Sequence, residues 1–419
     1  MKTIAIIGGG VTGVTTAYAL VKRGFAVTLL ERHRYPAMET SYANGGQLSA
    51  SNAEVWNHRS TIARALQWML RGDAPLLVHP HPTWHKLSWF AEFISAMPDY
   101  HRNTVALARM AVAARDHLFQ WADDEGIAFD LRRAGILHIH RDRAEFEHAV
   151  AVSKLLARGG VPRRAVTPDE MRAIEPALRG EFYAGHYTES DSSGDIHKFT
   201  TGLAQAAQRL GAQLRCNQQV VHLNAGEDGV DITVLHDERA DTTRYDAVVI
   251  CAGAASRALA AQVGDSVNVY PVKGYSVTVQ LEDAASRAAA PQVSLVDDTV
   301  KLVCSRLGED RLRVAGSAEF HGHNRDIRAD RIAPLTDWVQ HNFPDVSTRA
   351  ITPWAGLRPM MPDLMPRVGP GKAPGVFYNT GHGHLGWTLS AATADMVASA
   401  IHSSWEAVRQ RTTTPLKMA

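Results

Sequence analysis

The chain has 419 residues, 45% of them hydrophobic and 21% charged, which is enough apolar material for a large buried core and, at about 100–200 residues per domain, for two or three domains. Its 44 basic and 43 acidic side chains leave a net charge of +1, which removes the usual electrostatic reason to propose a nucleic-acid partner or a polybasic membrane contact. Cys216, Cys251 and Cys304 are far apart, form no CxxC and cannot build a disulfide framework, so a reducing compartment is expected.

Residues 4–7, Ile-Ala-Ile-Ile, predict a short buried parallel strand. The run enters glycines rather than a small-residue cleavage site, and no stretch reaches the roughly 18 apolar residues of a spanning helix. Together these predict a soluble, cytoplasmic-side protein, with peripheral contact on the inner face of the membrane left open. Gly8-Gly9-Gly10-Val11-Thr12-Gly13 then matches G-x-G-x-x-G. A helix is expected over 11–23, with Val14, Ala17, Tyr18 and Val21 on one face and Gly24 as its stop. A second strand is expected at 26–30, with Glu31 at its end. The order has a mechanical reason: Gly8, Gly10 and Gly13 allow a tight turn and close approach of a pyrophosphate, the helix N-terminus supplies N–H donors, and Glu31 accepts from ribose hydroxyls. This predicts a site for the ADP half of a dinucleotide. The motif alone does not choose between FAD and NAD. The small, polar segment Glu39-Thr40-Ser41-Tyr42-Ala43-Asn44-Gly45-Gly46-Gln47 suits a backbone-lined contact with a large polar ligand.

Residues 55–125 read as mostly helical and hold five of the nine tryptophans, Trp56, Trp68, Trp84, Trp89 and Trp121. Leu87, Phe90, Phe93, Ile94 and Met97 recur at helical spacing, either as a core stripe or as a partly exposed face for a membrane or electron acceptor. A strand is expected at 135–140 and helices at 143–156 and 199–210, with a capping box on Thr167 and Glu170. Short strands follow at 213–216, 219–224 and 229–234, and a buried strand at 245–253 ends in Ala252-Gly253. Period-two alternation over 268–320 predicts an antiparallel sheet, and a helix is expected near 333–343. The block Trp354-Ala355-Gly356-Leu357-Arg358-Pro359-Met360-Met361-Pro362-Asp363 precedes Gly381-His382-Gly383-His384-Leu385-Gly386-Trp387-Thr388, which opens a helix over 388–401.

Taken together, the Rossmann start, ETSYANGGQ, VVICAG, WAGLRPMMPD and GHGHLGWT resemble the FAD-dependent D-amino acid dehydrogenase small-subunit family, within the D-amino-acid-oxidase-like flavoproteins. The likeness runs nearly end to end and includes Asp191-Ser192-Ser193-Gly194-Asp195 and Tyr270-Pro271-Val272-Lys273-Gly274-Tyr275-Ser276. It implies an α/β fold in which a Rossmann-like FAD-binding domain (1–80, 185–265 and 345–410) is interleaved with an antiparallel-sheet substrate domain (81–184 and 266–344). It implies that Gly8, Gly10, Gly13, Glu31 and Arg32 hold the ADP half of FAD, that Ser41, Gln47 and Leu48 lie along the pyrophosphate and flavin, and that Val220 meets the adenine side. Gly253 would lie against the cofactor, and Gly383, Leu385, Gly386 and Thr388 would border the flavin ring. Arg358 matches the arginine that clamps the substrate carboxylate, with Tyr275 as a second contact. His384 stands where family members often carry a small residue such as Thr, so it bears on pocket shape.

The implied reaction is oxidation of a D-amino acid to a 2-oxo acid and ammonia, by hydride transfer from Cα to flavin N5, with a quinone or other non-oxygen acceptor. Rival readings on the same fold are an oxygen-using amine or amino acid oxidase and a dehydrogenase of cyclic imino acids such as D-proline. A non-catalytic nucleotide-binding subunit and a metal protein are further classes. For metal, the signal is four His-x-His pairs, at 79/81, 138/140, 321/323 and 382/384, with no third ligand evident from spacing.

Overall fold

Strand β1 (Thr3–Ile7) sits inside a six-stranded sheet whose order is Arg367–Pro370, Val376–Thr380, Ala247–Ile250, β1, β2 (Ala26–Leu30) and Gln213–Arg215. The pairings are parallel except for the Arg367–Pro370 edge. The computed structural model describes residues 1–58 and 75–413, so the readings placed on 59–74, Trp68 among them, lie outside the described residues. The chain leaves β1 toward β2 on one side and returns to Ala247–Ile250 on the other. The crevice at the carboxyl ends of β1 and Ala247–Ile250 is therefore a topological switch point, where open α/β sheets bind ligands. Helix α1 (Val11–Val21), Ile196–Arg209 and Gly386–Thr413 cover one face, over a core that includes Ile4, Ile6, Tyr18, Phe199 and Trp387.

The second large sheet has nine strands. Its main path runs Ile351–Met360, Tyr270–Gln280, Arg311–Phe320, Leu302–Leu307, Ser294–Asp297, Ile136–His140, Ala184–Thr188 and Arg164–Val166, with Leu76–Val78 paired to Arg311–Phe320. Most pairings are antiparallel, but Ser294–Asp297 with Ile136–His140 and Leu76–Val78 with Arg311–Phe320 are parallel. The strands Ala184–Thr188 and Ile351–Met360 fall in this sheet, although their sequence positions lie almost wholly in the stretches assigned to the cofactor half. Short connections do not show which sheet a strand joins; the pairing partner decides it.

Two local differences from the sequence expectation have clear causes. The expected strand at 245–253 is divided, because Tyr245 closes a three-stranded meander ending in Arg239–Tyr245. Asp246 then turns the chain by accepting from Thr3 N (2.8 Å) and Thr3 Oγ (2.8 Å) before Ala247–Ile250 pairs with β1. The Ile196–Arg209 helix starts before Phe199 because Asp195 caps it, accepting from His197 N at 2.9 Å. The apolar stripe read at helical spacing divides: Phe93 is buried and Phe90 and Met97 are half-buried, whereas Leu87 and Ile94 are 53% and 54% exposed. The capping box on Thr167 and Glu170 forms as expected.

Candidate active site

The turn after β1 is a cradle that side chains would fill. Gly8 has φ +106°, and a Cβ there would lie 2.7 Å from the Cys251 carbonyl oxygen. At Gly13 a Cβ would lie 1.8 Å from the Gly8 oxygen, so this glycine sets how closely α1 packs on the turn. Ser41 Oγ accepts from Val11 N at 2.9 Å and so completes the start of α1. Glu31, buried at the end of β2, accepts from Gly9 N (2.6 Å) and His33 N (2.8 Å), one donor on each oxygen. Each carboxylate oxygen keeps acceptor capacity for a sugar hydroxyl. Arg32 pairs with Glu39 beside it.

A cavity of about 730 Å³ extends from this cradle to the nine-stranded sheet. Among the residues expected from sequence, Gly8, Gly10, Glu31, Arg32, Ser41, Gln47, Val220, Gly253, Tyr275, Gly383, His384, Gly386 and Arg358 line it. Gly13, Leu48, Leu385 and Thr388 do not. Leu48 and Leu385 are 4% and 2% exposed and belong to hydrophobic cores, and Thr388 Oγ accepts from Ser49 N at 3.2 Å. These four support the wall from behind.

Arg358 lies on the sheet edge strand Ile351–Met360, directly opposite Val272. Its guanidinium lies across Gly274, where a Cβ would stand 2.3 Å from Nη2. It donates to the carbonyls of Ser317 (2.6 Å) and Gly316 (3.4 Å). No carboxylate among the described residues pairs with it, and burial alone pulls its pKa down to about 10. The part of its surface that stays open faces the cavity. A desolvated cation of this kind, with donors to spare, is built to receive an anion.

Tyr275 is corrected by the same register. It pairs with Ala355, one position out of phase with Arg358 and Gly274, so its side chain leaves the opposite face of the sheet. It is 1% exposed, its ring packs in a hydrophobic core, and its hydroxyl donates to Glu319 at 2.7 Å. Burial, and then the bond to Glu319, raise its pKa. Its contribution to the cavity wall is therefore not a phenol offered to substrate. His384 does reach the cavity: Nε2 meets the Asn52 carbonyl at 3.1 Å, and the ring stacks on Trp56 with centroids 4.9 Å apart. Burial lowers its pKa to about 4, so it is neutral at pH 7.

Sequence reasoning missed a polar end of the cavity formed by Glu54, His148, Asp298 and Lys301. Glu54 is a single acid in a stretch of small residues, and Asp298 one of two adjacent acids in a loop. Neither carries a spacing signal, because their partners come from Tyr100, His148 and His138, far away in sequence. The His-x-His pairs resolve differently. His138 meets Ser51 and Asp298, and His140 meets His186 at 3.1 Å. His79, Glu319 and His321 do come together, but the two imidazoles stack face to face 3.4 Å apart, and Glu319 already has the Lys273 ammonium 3.4 Å away.

The sequence profile of the FAD dependent oxidoreductase family matches residues 3–400. The chain belongs to that family. FAD is thus its cofactor, and the glycine cradle, the α1 N-terminus and Glu31 fit its ADP half. Family relatives include D-amino acid dehydrogenase 3 of Mesorhizobium japonicum, 56% identical over 96% of this chain and 97% of that protein. D-amino acid dehydrogenase of Paramagnetospirillum magneticum is 40% identical over 95% of this chain and 94% of that protein. Among solved structures, glycine oxidase from Geobacillus kaustophilus superposes with TM-score 0.75 at 21% identity, covering 96% of this chain and 95% of that one. L-proline dehydrogenase from P. horikoshii superposes with TM-score 0.74 at 18% identity, covering 96% and 94%. At such identities the likeness speaks for the fold. Among the described residues no helix is long and apolar enough to cross a membrane.

Proposed function

We propose that this flavoenzyme oxidises D-amino acids to 2-oxo acids and ammonia, as a dehydrogenase whose electrons leave to a non-oxygen acceptor of the quinone class. The names of its relatives support the substrate class. The observation that carries the reading is Arg358, a half-buried guanidinium with no carboxylate partner among the described residues, in the same cavity as the glycine cradle.

Arg358 takes the α-carboxylate through its free N–H groups, and a planar fork fixes the carboxylate's orientation as well as its position. The Ser317 carbonyl holds that fork from behind, and Gly274 leaves room for it to lie flat. FAD, when bound, supplies the acceptor for the hydride leaving Cα. Neutral His384 adds no second positive charge beside the guanidinium, so the carboxylate meets one cation at a defined place. Holding the substrate this way converts an encounter into a positioned reaction, and the face of Cα presented by the clamp determines which enantiomer reacts.

Anaerobic mixing tests this. The purified protein is expected to be yellow, to be bleached by D- but not L-amino acids, and to consume no oxygen during turnover with an added quinone. Unchanged flavin spectra across a broad D-amino acid panel would sink the reading. Arg358→Ala is expected to lower kcat/KM by about 10²–10⁴-fold, the loss of two charge-assisted hydrogen bonds. Kinetics near wild type would remove Arg358 from the site.

A further inference from the structure

The cavity does not end at the carboxylate clamp. Beyond His384 it continues between two carboxylates that the chain has fixed in place. Glu54 Oε1 accepts from Tyr100 OH at 2.6 Å and from His148 Nε2 at 3.0 Å. Both donors fall on the same oxygen, and no donor among the described residues is assigned to Oε2. The Glu54 side chain is 28% open even though protein surrounds it, and the surface it presents lines the cavity. Asp298 stands nearby on the loop after Ser294–Asp297. Its Oδ2 meets His138 Nδ1 at 3.1 Å, and His138 Nε2 is tied to Ser51 Oγ at 3.0 Å. Lys301 reaches Asp298 Oδ1 only at 3.4 Å and is half exposed.

Burial pushes both acids toward protonation. At Glu54 the His148 and Tyr100 hydrogen bonds together with the nearby positive charges outweigh it, and at Asp298 Lys301, the His138 bond and the neighbouring imidazoles do so together, leaving both acids ionised at neutral pH. His384 feels the charges of Arg358, Lys301 and Glu54 together, which places it between the two ends. A substrate held by its carboxylate on Arg358 thus has, at the far end of the same cavity, a prearranged carboxylate oxygen to which no described residue donates. The complementary group is a hydrogen-bond donor that carries positive charge.

We propose that Glu54, seconded by Asp298, is the side-chain recognition residue, and that the preferred substrates are D-amino acids whose side chains end in an ammonium or guanidinium group. This rests on the reading of the cavity as a D-amino acid site and names the substrate class within it.

The discriminating pair is D-lysine against D-norleucine, which share a carbon chain and differ in the terminal ammonium. Anaerobic flavin reduction by wild-type holoenzyme should give a kcat/KM ratio of roughly tenfold or more in favour of D-lysine, the usual worth of a charge-assisted hydrogen bond. In Glu54→Gln, which keeps the shape and removes the charge, that ratio should fall toward one. Asp298→Asn should lower it less. A wild-type ratio at or below one overturns the inference, and so does a ratio that Glu54→Gln leaves in place. The wild-type measurement decides even if a variant loses flavin. If D-norleucine is oxidised and D-lysine is not preferred, only the side-chain assignment falls. If no D-amino acid reduces the flavin, the reading of the whole site falls with it.

Discussion

An imidazole at position 384 occupies space that a smaller side chain would leave to the ligand. It is fixed twice, by the Asn52 carbonyl at 3.1 Å and by the Trp56 ring at an interplanar angle of 18°. It therefore cannot swing aside cheaply when a large side chain enters. His384→Thr removes both contacts and opens the cavity next to Trp56. The expected outcome is a change in substrate ranking: kcat/KM for D-phenylalanine relative to D-alanine should rise by roughly tenfold, the scale on which hydrophobic pockets discriminate by size. Steady-state kinetics on the two substrates checks this, and an unchanged ratio would place His384 beyond reach of the substrate side chain. Arg358 and Tyr275 show how far residue identity alone reaches. Both stood out in sequence, yet only the pairing of Val272 with Arg358 and Ala355 with Tyr275 sends them to opposite faces. That parity depends on two strands some eighty positions apart and is written in neither strand alone.

At the scale of elements, α1 carries Gly13 in its first turn and is followed by Gly24, and the two glycines do different work. Gly13 is needed for contact: a Cβ would stand 1.8 Å from the Gly8 oxygen and 3.4 Å from Cys251 Cβ, so helix and turn would have to separate. Gly24 is needed for conformation: φ is +81° and nothing lies within 4 Å of the added carbon. Gly13→Ala should therefore displace the cradle and cost flavin, with the holoenzyme fraction falling severalfold. Gly24→Ala should cost only about 1–2 kcal/mol of stability, the price of a left-handed residue with a side chain, and leave flavin content near wild type. The ratio of flavin absorbance to protein, with a thermal melt for each variant, separates the two. Equal flavin loss in both would show that the glycines act through chain stiffness alone. This element was legible in sequence because strand, turn, helix and acid are all local, within residues 3–31. The nine-stranded sheet was legible only as alternation. Its order and its parallel pairs depend on contacts such as Leu295 with Leu137, which no local pattern encodes. The polar end of the cavity was hidden for the same reason, since Glu54 acquires its meaning from His148 and Tyr100.

For the molecule as a whole, the buried histidines set the acid limit of stability. His140 and His186 lie against each other inside the larger sheet, with His382 and His384 beside the cofactor cradle. Burial is the leading cause in each, and it depresses the four to about 4, 3, 3 and 4 respectively. A histidine in the unfolded chain titrates near 6.5. The folded state therefore binds fewer protons, so the stability these groups contribute is fully present above about pH 6.5 and is lost as the pH falls toward 4. At pH 5 a single such group costs on the order of 2 kcal/mol, and because His140 and His186 share a hydrogen bond their costs do not simply add. Asp191 opposes the trend. Burial raises it to about 6, so its contribution is fully present below pH 4 and is lost as the pH rises through about 6. Asp363 is also raised by burial, but two acids set against four imidazoles still leave the histidines dominant. The melting temperature of the holoenzyme should therefore fall steeply between pH 6.5 and 4.5. His140→Gln keeps a hydrogen-bonding side chain toward His186 but cannot take up a proton. It should flatten that slope by about one proton, whatever it does to stability at pH 7.5. Thermal melts of both proteins across this range decide the matter, and parallel curves would mean that acid sensitivity arises elsewhere in the fold.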